Sequence, residues 1–272
     1  MGNSVKKALF VNSEIFPYLP ETEISKIGRM LPQGMQERKV EIRSFMPRYG
    51  CVNERKNQLH EVIRLSGINI IINDVDRPLI IKVASIPVAR LQVYFIDNED
   101  YFRRKQISFD NNGAFFPDND ERAVFFTRGV LETVKKLRWA PDIIHCQGWI
   151  SHLLPLYLKK AYKDDPIFSN SKIVISLYND ISTEKFSPDF KKSVLYGNIT
   201  ESDVKVLSQS NGINLAKLAA QYSDGIIYGA GDVNPEITAY CESLGRPILP
   251  FNRESLTDGK YIDEYKSFYD QL

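Results

Sequence analysis

The chain has 272 residues, 43% hydrophobic and 25% charged, a globular composition with enough apolar mass for a sizeable core. Its 35 Lys and Arg against 34 Asp and Glu leave a formal charge of +1, so no bulk charge points to nucleic acid or to an anionic membrane surface. Cys51, Cys146 and Cys241 form no CxxC pair, which excludes a zinc knuckle and a redox dithiol and fits a reducing compartment.

Residues 1–7 contain no apolar run of the signal-peptide kind, and Lys6 stands where a myristoylation pattern needs Ser or Thr. Apolar stretches all fall short of the roughly 18 residues that span a bilayer, so a cytoplasmic protein with no membrane span is expected. Residues 7–13 read as a short buried strand. Residues 24–38 have helical spacing at Ile24, Ile27, Met30 and Leu31, with Pro32 expected to end or kink the helix. Residues 40–46 are a second strand, closed by Pro47, Arg48, Tyr49 and Gly50. Three β-rich runs, near 62–72, 79–86 and 91–96, are separated by residues 74–78 and by Pro87, and suggest an antiparallel excursion.

A polar, aromatic loop over 97–119 leads to a helix over 121–137, capped by Asp120. Residues 142–146 form a buried strand that stops at Gly148 and passes into a helix near Trp149. Residues 172–177 are another buried strand, 180–209 a polar loop with short helices, 215–222 a helix, 224–228 a strand and 235–244 a helix. Residues 247–249 end the strands, and 260–272 read as an amphipathic terminal helix with Tyr261, Ile262, Tyr265, Phe268 and Tyr269 along it. Strands alternating with helices imply an α/β fold: a three-layer, Rossmann-like, mostly parallel sheet with helices on both faces, right-handed crossovers and a β-hairpin excursion. One domain is expected over 1–272, with a core over 1–255 and a C-terminal amphipathic helix over 256–272. The turn after the 142–146 strand, at a strand's carboxyl end, is where such a sheet places ligands.

Several segments taken together resemble the N-terminal, acceptor-side domain of bacterial glycogen and starch synthases, glucosyltransferases of the GT-B fold. They are Leu9-Phe-Val-Asn-Ser-Glu-Ile-Phe-Pro17, Met46-Pro-Arg-Tyr-Gly50, Val93-Tyr-Phe-Ile-Asp-Asn-Glu-Asp-Tyr-Phe102, Phe116-Pro-Asp-Asn-Asp-Glu-Arg122, Trp139-Ala-Pro-Asp-Ile-Ile-His-Cys-Gln-Gly-Trp149 and Ala219-Ala-Gln-Tyr-Ser-Asp-Gly225. They occur in the family's order up to about Glu242, so the fold implied is the N-terminal half of a GT-B enzyme. The departures bear on function. Where the family has Lys-x-Gly-Gly, whose backbone approaches the donor diphosphate, this chain has Pro20, Glu21, Thr22 and Glu23. The family's His-x-x-Asp-Trp reads His145-Cys-Gln-Gly-Trp149, its later His-Asn reads Tyr178-Asn179, and its Asp-Arg after Tyr-Phe reads Arg103-Arg104. The chain is also expected to stop where the family's donor domain would begin.

Glycosyl transfer needs cations or aimed amides for the leaving diphosphate, and this chain shows no substitute for them. Arg103, Arg104 and Lys105 read as a solvated loop. The candidate glycan crevice comprises Glu14, Tyr101, His145, Trp149, Tyr178 and Asn179; no catalytic residue, cofactor or metal is expected. His145 is weighed as a sugar ligand against a backbone hydrogen bond, and Glu14 as a hydroxyl acceptor against the partner of a nearby base. Trp149 and Tyr101 are each a stacking face or a packing residue. His60 and His152 are read as surface residues. The five-residue stripe from Tyr261 to Tyr269 either packs or covers a surface that a second domain would occupy. Two readings follow: a non-catalytic domain with an α-glucan or protein partner, or a glucosyltransferase subunit (ADP-glucose to α-1,4-glucan) completed by a donor domain in trans. A third is an α/β domain with an unrelated ligand in the same crevice.

Overall fold

The computed structural model describes residues 4–272; Met1, Gly2 and Asn3, which carry part of the signal-peptide and myristoylation reading, lie outside the described residues. Strand β1 (Lys7–Asn12) is buried from Ala8 onward, as a strand covered on both faces must be. Helix α1 (Glu23–Glu37) leads to β2 (Glu41–Pro47). Pro32 does not end α1, one of the two outcomes expected from sequence; the helix continues to Glu37. Pro32 forfeits one backbone hydrogen bond. A reciprocal Thr22–Ser25 capping box and the buried row Ile27, Leu31 and Met35 hold the helix regardless.

The excursion consists of β3 (His60–Glu61), β4 (Ile68–Ile72), β5 (Val75–Ile86) and β6 (Leu91–Asp97). Asn73 and Asp74, at φ 51° and 63°, make the two-residue β4–β5 turn. The strand therefore starts at Val75, inside the segment expected to separate strands, and Pro78 sits in β5 opposite Asn69 of the outer strand β4. Helices α2 (Glu99–Phe102) and α3 (Asn119–Leu137) follow. Asp120 does not cap α3: Asp118 holds that position, and buried Asp120 lies in the first turn.

Next come β7 (Ile143–Gln147), a 3-10 turn at Trp149–Ser151, α4 (Leu154–Lys160), β8 (Lys172–Leu177), α5 (Phe190–Val194) and α6 (Gly212–Tyr222). They are followed by β9 (Gly225–Tyr228), α7 (Pro235–Ser243) and β10 (Ile248–Leu249). The tail is two helices where one was expected: α8 (Arg253–Asp258) and α9 (Tyr261–Asp270), parted at Gly259 and Lys260.

Strand order is β10-β9-β8-β7-β1-β2-β6-β5-β3, parallel from β10 to β6 and antiparallel at β5, an α/β architecture. From β1 the chain winds outward through β2 and β6, then returns to lay β7 against the other side of β1. The winding direction reverses between β1 and β7, and a crevice at the carboxyl ends of such a strand pair is the usual ligand position. Asn12 pairs with Gln147 in register, which sets Ser13 and Gly148 side by side at that point. On one face α9 lies against α1, so close that a Cβ at Gly34 would fall 2.5 Å from Ile262.

Candidate functional site

A cavity of about 230 Å³ opens at the β1–β7 reversal. Its walls are Ser13 and Glu14 after β1, Tyr49 after β2, Trp149 after β7, Asp180 and Ile181 after β8, and Ile107, Ser108 and Phe109 from the loop before α3. None of these residues is basic. The Asp180 carboxylate accepts the Trp149 amide at 2.9 Å, and the Ser13 amide donates to the Gln147 carbonyl at 2.8 Å. Together these bonds fix the turn. Gly148, between the two strands' ends, has φ 82° and ψ 153°. A Cβ there would lie 2.1 Å from Ser13 Oγ.

The cavity is acidic in composition, with two carboxyls in its lining. Burial raises the Glu14 carboxyl above its ordinary range; the Thr22 hydroxyl opposes this and the Asp180 charge adds to it. Burial raises Asp180 as well, opposed by backbone amides, that of Trp149 first. Among the described residues the Ser13 and Tyr49 hydroxyls find no partner, although both residues are buried. Unpaired buried hydroxyls are costly, so their gathering at one cavity marks a place for polar company.

The structure brings together two of the six sequence-derived candidates, Glu14 and Trp149. Trp149 lines the cavity and is mostly buried, with the Phe115 and Phe186 ring centroids 5.6 and 5.9 Å away. Tyr101 is in the core: its hydroxyl donates to Glu121 at 2.6 Å and the Arg77 guanidinium covers its ring. Both ring nitrogens of His145 are engaged by side chains, not by backbone. Its side chain points from β7 to the α9 face, with Nε2 2.7 Å from Ser176 Oγ and Nδ1 2.7 Å from Tyr269 Oη. Tyr178 is buried over Gly229, away from the cavity wall. Asn179 is exposed and accepts from the Ser182 hydroxyl. His60 is exposed as expected, but His152 is buried: the 3-10 turn after Gly148 rolls it inward. Ser13, Tyr49, Ser108 and Asp180 were not singled out from sequence. The available signals were the position of Tyr49 in a motif at a strand end and that of Asp180 immediately after the Tyr178-Asn179 pair.

The segment 20–23 reaches the cavity lining through Thr22, which bonds Glu14. Thr22 Oγ1 accepts the Ser25 amide at 3.0 Å and donates to Glu14 at 2.9 Å, so the first turn of α1 is already capped. Lys26 pairs with Glu21 at 3.1 Å, and Arg253 of α8 pairs with Glu23. Both ion pairs are exposed and worth little, about 0–1 kcal/mol each. The cap is worth more. Thr22→Ala is expected to lower stability by about 1 kcal/mol in urea unfolding. It also removes the hydroxyl that opposes the rise at Glu14, so that carboxyl should titrate higher by NMR.

Residues 7–238 match the family model described as the starch synthase catalytic domain. The glycogen synthase of Chlorobium limicola is 34% identical over 245 residues, covering 85% of this chain and 50% of that protein. The glycogen synthase of Chlorobium chlorochromatii is 39% identical over 188 residues, covering 66% and 37%. Among solved structures, the catalytic domain of starch synthase IV from Arabidopsis thaliana bound to ADP and acarbose superposes with a TM-score of 0.72 at 14% identity, over 92% of this chain and 51% of that one. The chain thus spans about half the length of the curated relatives it matches.

Proposed function

This chain belongs to the family of starch synthase catalytic domains, and from that premise we propose that it is an α-glucan-binding domain that does not itself transfer glucose. The observation that carries the reading is the segment 20–23. A helix N-terminus beside a glycine turn attracts phosphate through free amides and the helix dipole. At α1 the side chain of Thr22 takes one of those amides, and Glu21 and Glu23 place carboxylates before the rest. Lys26 and Arg253, the neighbouring cations, are engaged with those same carboxylates. A diphosphate entering here would have to compete with those carboxylates for the same amides and cations. The cavity beside it offers hydroxyls, carboxylates and an aromatic edge, a set suited to an uncharged sugar.

Isothermal titration tests the reading directly. Maltooligosaccharides should give heat and ADP-glucose none. Glucose incorporation by the chain alone, or tight ADP-glucose binding, would overturn it. A second reading draws on the half-length match to the relatives: a glucosyltransferase subunit completed by a donor domain in trans. Incorporation of labelled glucose only after adding the carboxyl-terminal half of a related synthase would favour that reading.

A further inference from the structure

Another concavity, of about 160 Å³, shares no wall residue with the cavity at the β1–β7 reversal. Three segments build it: Tyr18 after β1, Lys56 and Gln58 in the loop after β2, and Ser85 near the end of β5. We infer that it is a site for one small tetrahedral oxyanion, either inorganic phosphate or the phosphate group of an ester. Sites for drug-sized molecules run to about 300–1,000 Å³, so the occupant here is small. No acidic residue stands in its described walls. Lys56 supplies a cation, and the one carboxylate in the 48–59 loop, Glu54, faces Arg48 and Lys82 instead. The walls include no residue of 20–23, so the carboxylates before α1 do not bear on this site.

Tyr18 is the buried group that calls for a ligand. The residue is 6% exposed, its ring meets Phe95 edge-on at 4.9 Å, and its hydroxyl has no hydrogen-bond partner among the described residues. A buried hydroxyl left unpaired is costly, so its presence in a cavity wall marks a partner still to come. Burial lifts that hydroxyl to about 12, with the Arg29 charge pulling the other way, so it stays a neutral donor near pH 7. The Lys56 ammonium, the Gln58 amide and the Ser85 hydroxyl add donors from the other two segments, on exposed residues that can turn toward an ion. Lysine is a point charge with three donors and no planar fork, which suits an anion whose acceptors point in all directions. A planar carboxylate is better matched by the parallel donors of arginine, and no arginine stands in the described walls.

The test is an amide NMR titration of the full chain with sodium phosphate at constant ionic strength, each variant first checked by its thermal transition. Wild type should show saturable shifts at the amides of Gln58 and Ser85. Lys56→Gln should weaken phosphate about 10-fold and Tyr18→Phe about 5-fold, since each removes a donor to a charged acceptor. Methyl phosphate identifies the source: equal affinity supports an ester's phosphate group, and weaker binding supports the free ion. Shifts that never saturate with phosphate overturn the site. Saturable shifts of equal affinity with sodium acetate overturn the choice of a tetrahedral ion. Phosphate affinity unchanged in Lys56→Gln, or in folded Tyr18→Phe, overturns the inference. If Tyr18→Phe does not fold, Ser85→Ala at an exposed position takes its place, and unchanged affinity there counts against the site in the same way.

Discussion

Gly148→Asp is expected to destabilise the fold by about 2–5 kcal/mol, with Gly148→Ala nearly as damaging. Both effects come from the β-carbon. A non-glycine residue forced to φ 82° and ψ 153° stores about 1–3 kcal/mol of backbone strain. The added atom would stand 2.1 Å from Ser13 Oγ and 2.7 Å from Ser13 Cβ, and such overpacking costs about 1–3 kcal/mol more. Ser13 cannot step aside freely, because its amide is bonded to the Gln147 carbonyl across the β1–β7 pair. Urea unfolding should show a lower midpoint at unchanged slope. Ser13→Gly in the same chain relieves the contact but not the dihedral strain, so the double variant should recover about half of the loss. A cost below about 1 kcal/mol for Gly148→Ala would mean that the turn adjusts easily. Restoring aspartate at this one position therefore cannot rebuild the family turn.

The architecture was legible because buried parallel strands write themselves as apolar runs. Residues 7–13, 142–146 and 172–177 each became a strand of the sheet's centre, and the β-rich region became the antiparallel edge. What sequence could not show is contact between distant elements. Tyr269 meets His145 across 124 residues, and Arg253 meets Glu23 across 230. Without those contacts, a strand-end histidine stays open between a sugar ligand and a backbone hydrogen bond, whereas its ring bonds Ser176 and Tyr269. Tyr178 shares the pleat parity of Ser176, and Tyr265 and Tyr269 of α9 lie near it, which the sequence pattern does not reveal. Glu14 and Trp149 reach the cavity because both directly follow central strands. Ser13, Tyr49 and Asp180 escaped notice because small polar and loop residues have no periodicity to betray their direction. Pro32 was expected to end or kink α1, but the helix runs on to Glu37 with its apolar row Ile27, Leu31 and Met35 buried.

Tyr269→Ala should cost about 3–5 kcal/mol and should also change the response to acid. The ring is 2% exposed and stacks edge-on against His145 and Tyr265, so truncation leaves a cavity on the α9 face. It also strips a hydrogen-bond partner from His145 Nδ1. Tyr269→Phe keeps the volume and should cost only about 1–2 kcal/mol. The acid response follows from burial, which pushes His145 and His152 each down to about 3. In the unfolded chain both should titrate near 6.5. Below that pH the unfolded state binds protons that the fold refuses, so stability falls as pH drops from about 6.5 toward 3. Each histidine contributes at most about 1.4 kcal/mol per pH unit. Glu14 and Asp180 oppose this, since raised carboxyls contribute stability at low pH that is lost as pH rises through their folded values. Exposing His145 lets its pKa climb back, which removes its share of the acid penalty while His152 keeps its own. The destabilisation by Tyr269→Ala should therefore be smaller at pH 5 than at pH 7, by about 1 kcal/mol. A difference that grows at pH 5 would show that Tyr269 is not what keeps His145 neutral. A cost under about 1 kcal/mol at pH 7 would show instead that α9 rests on the sheet without being part of its core.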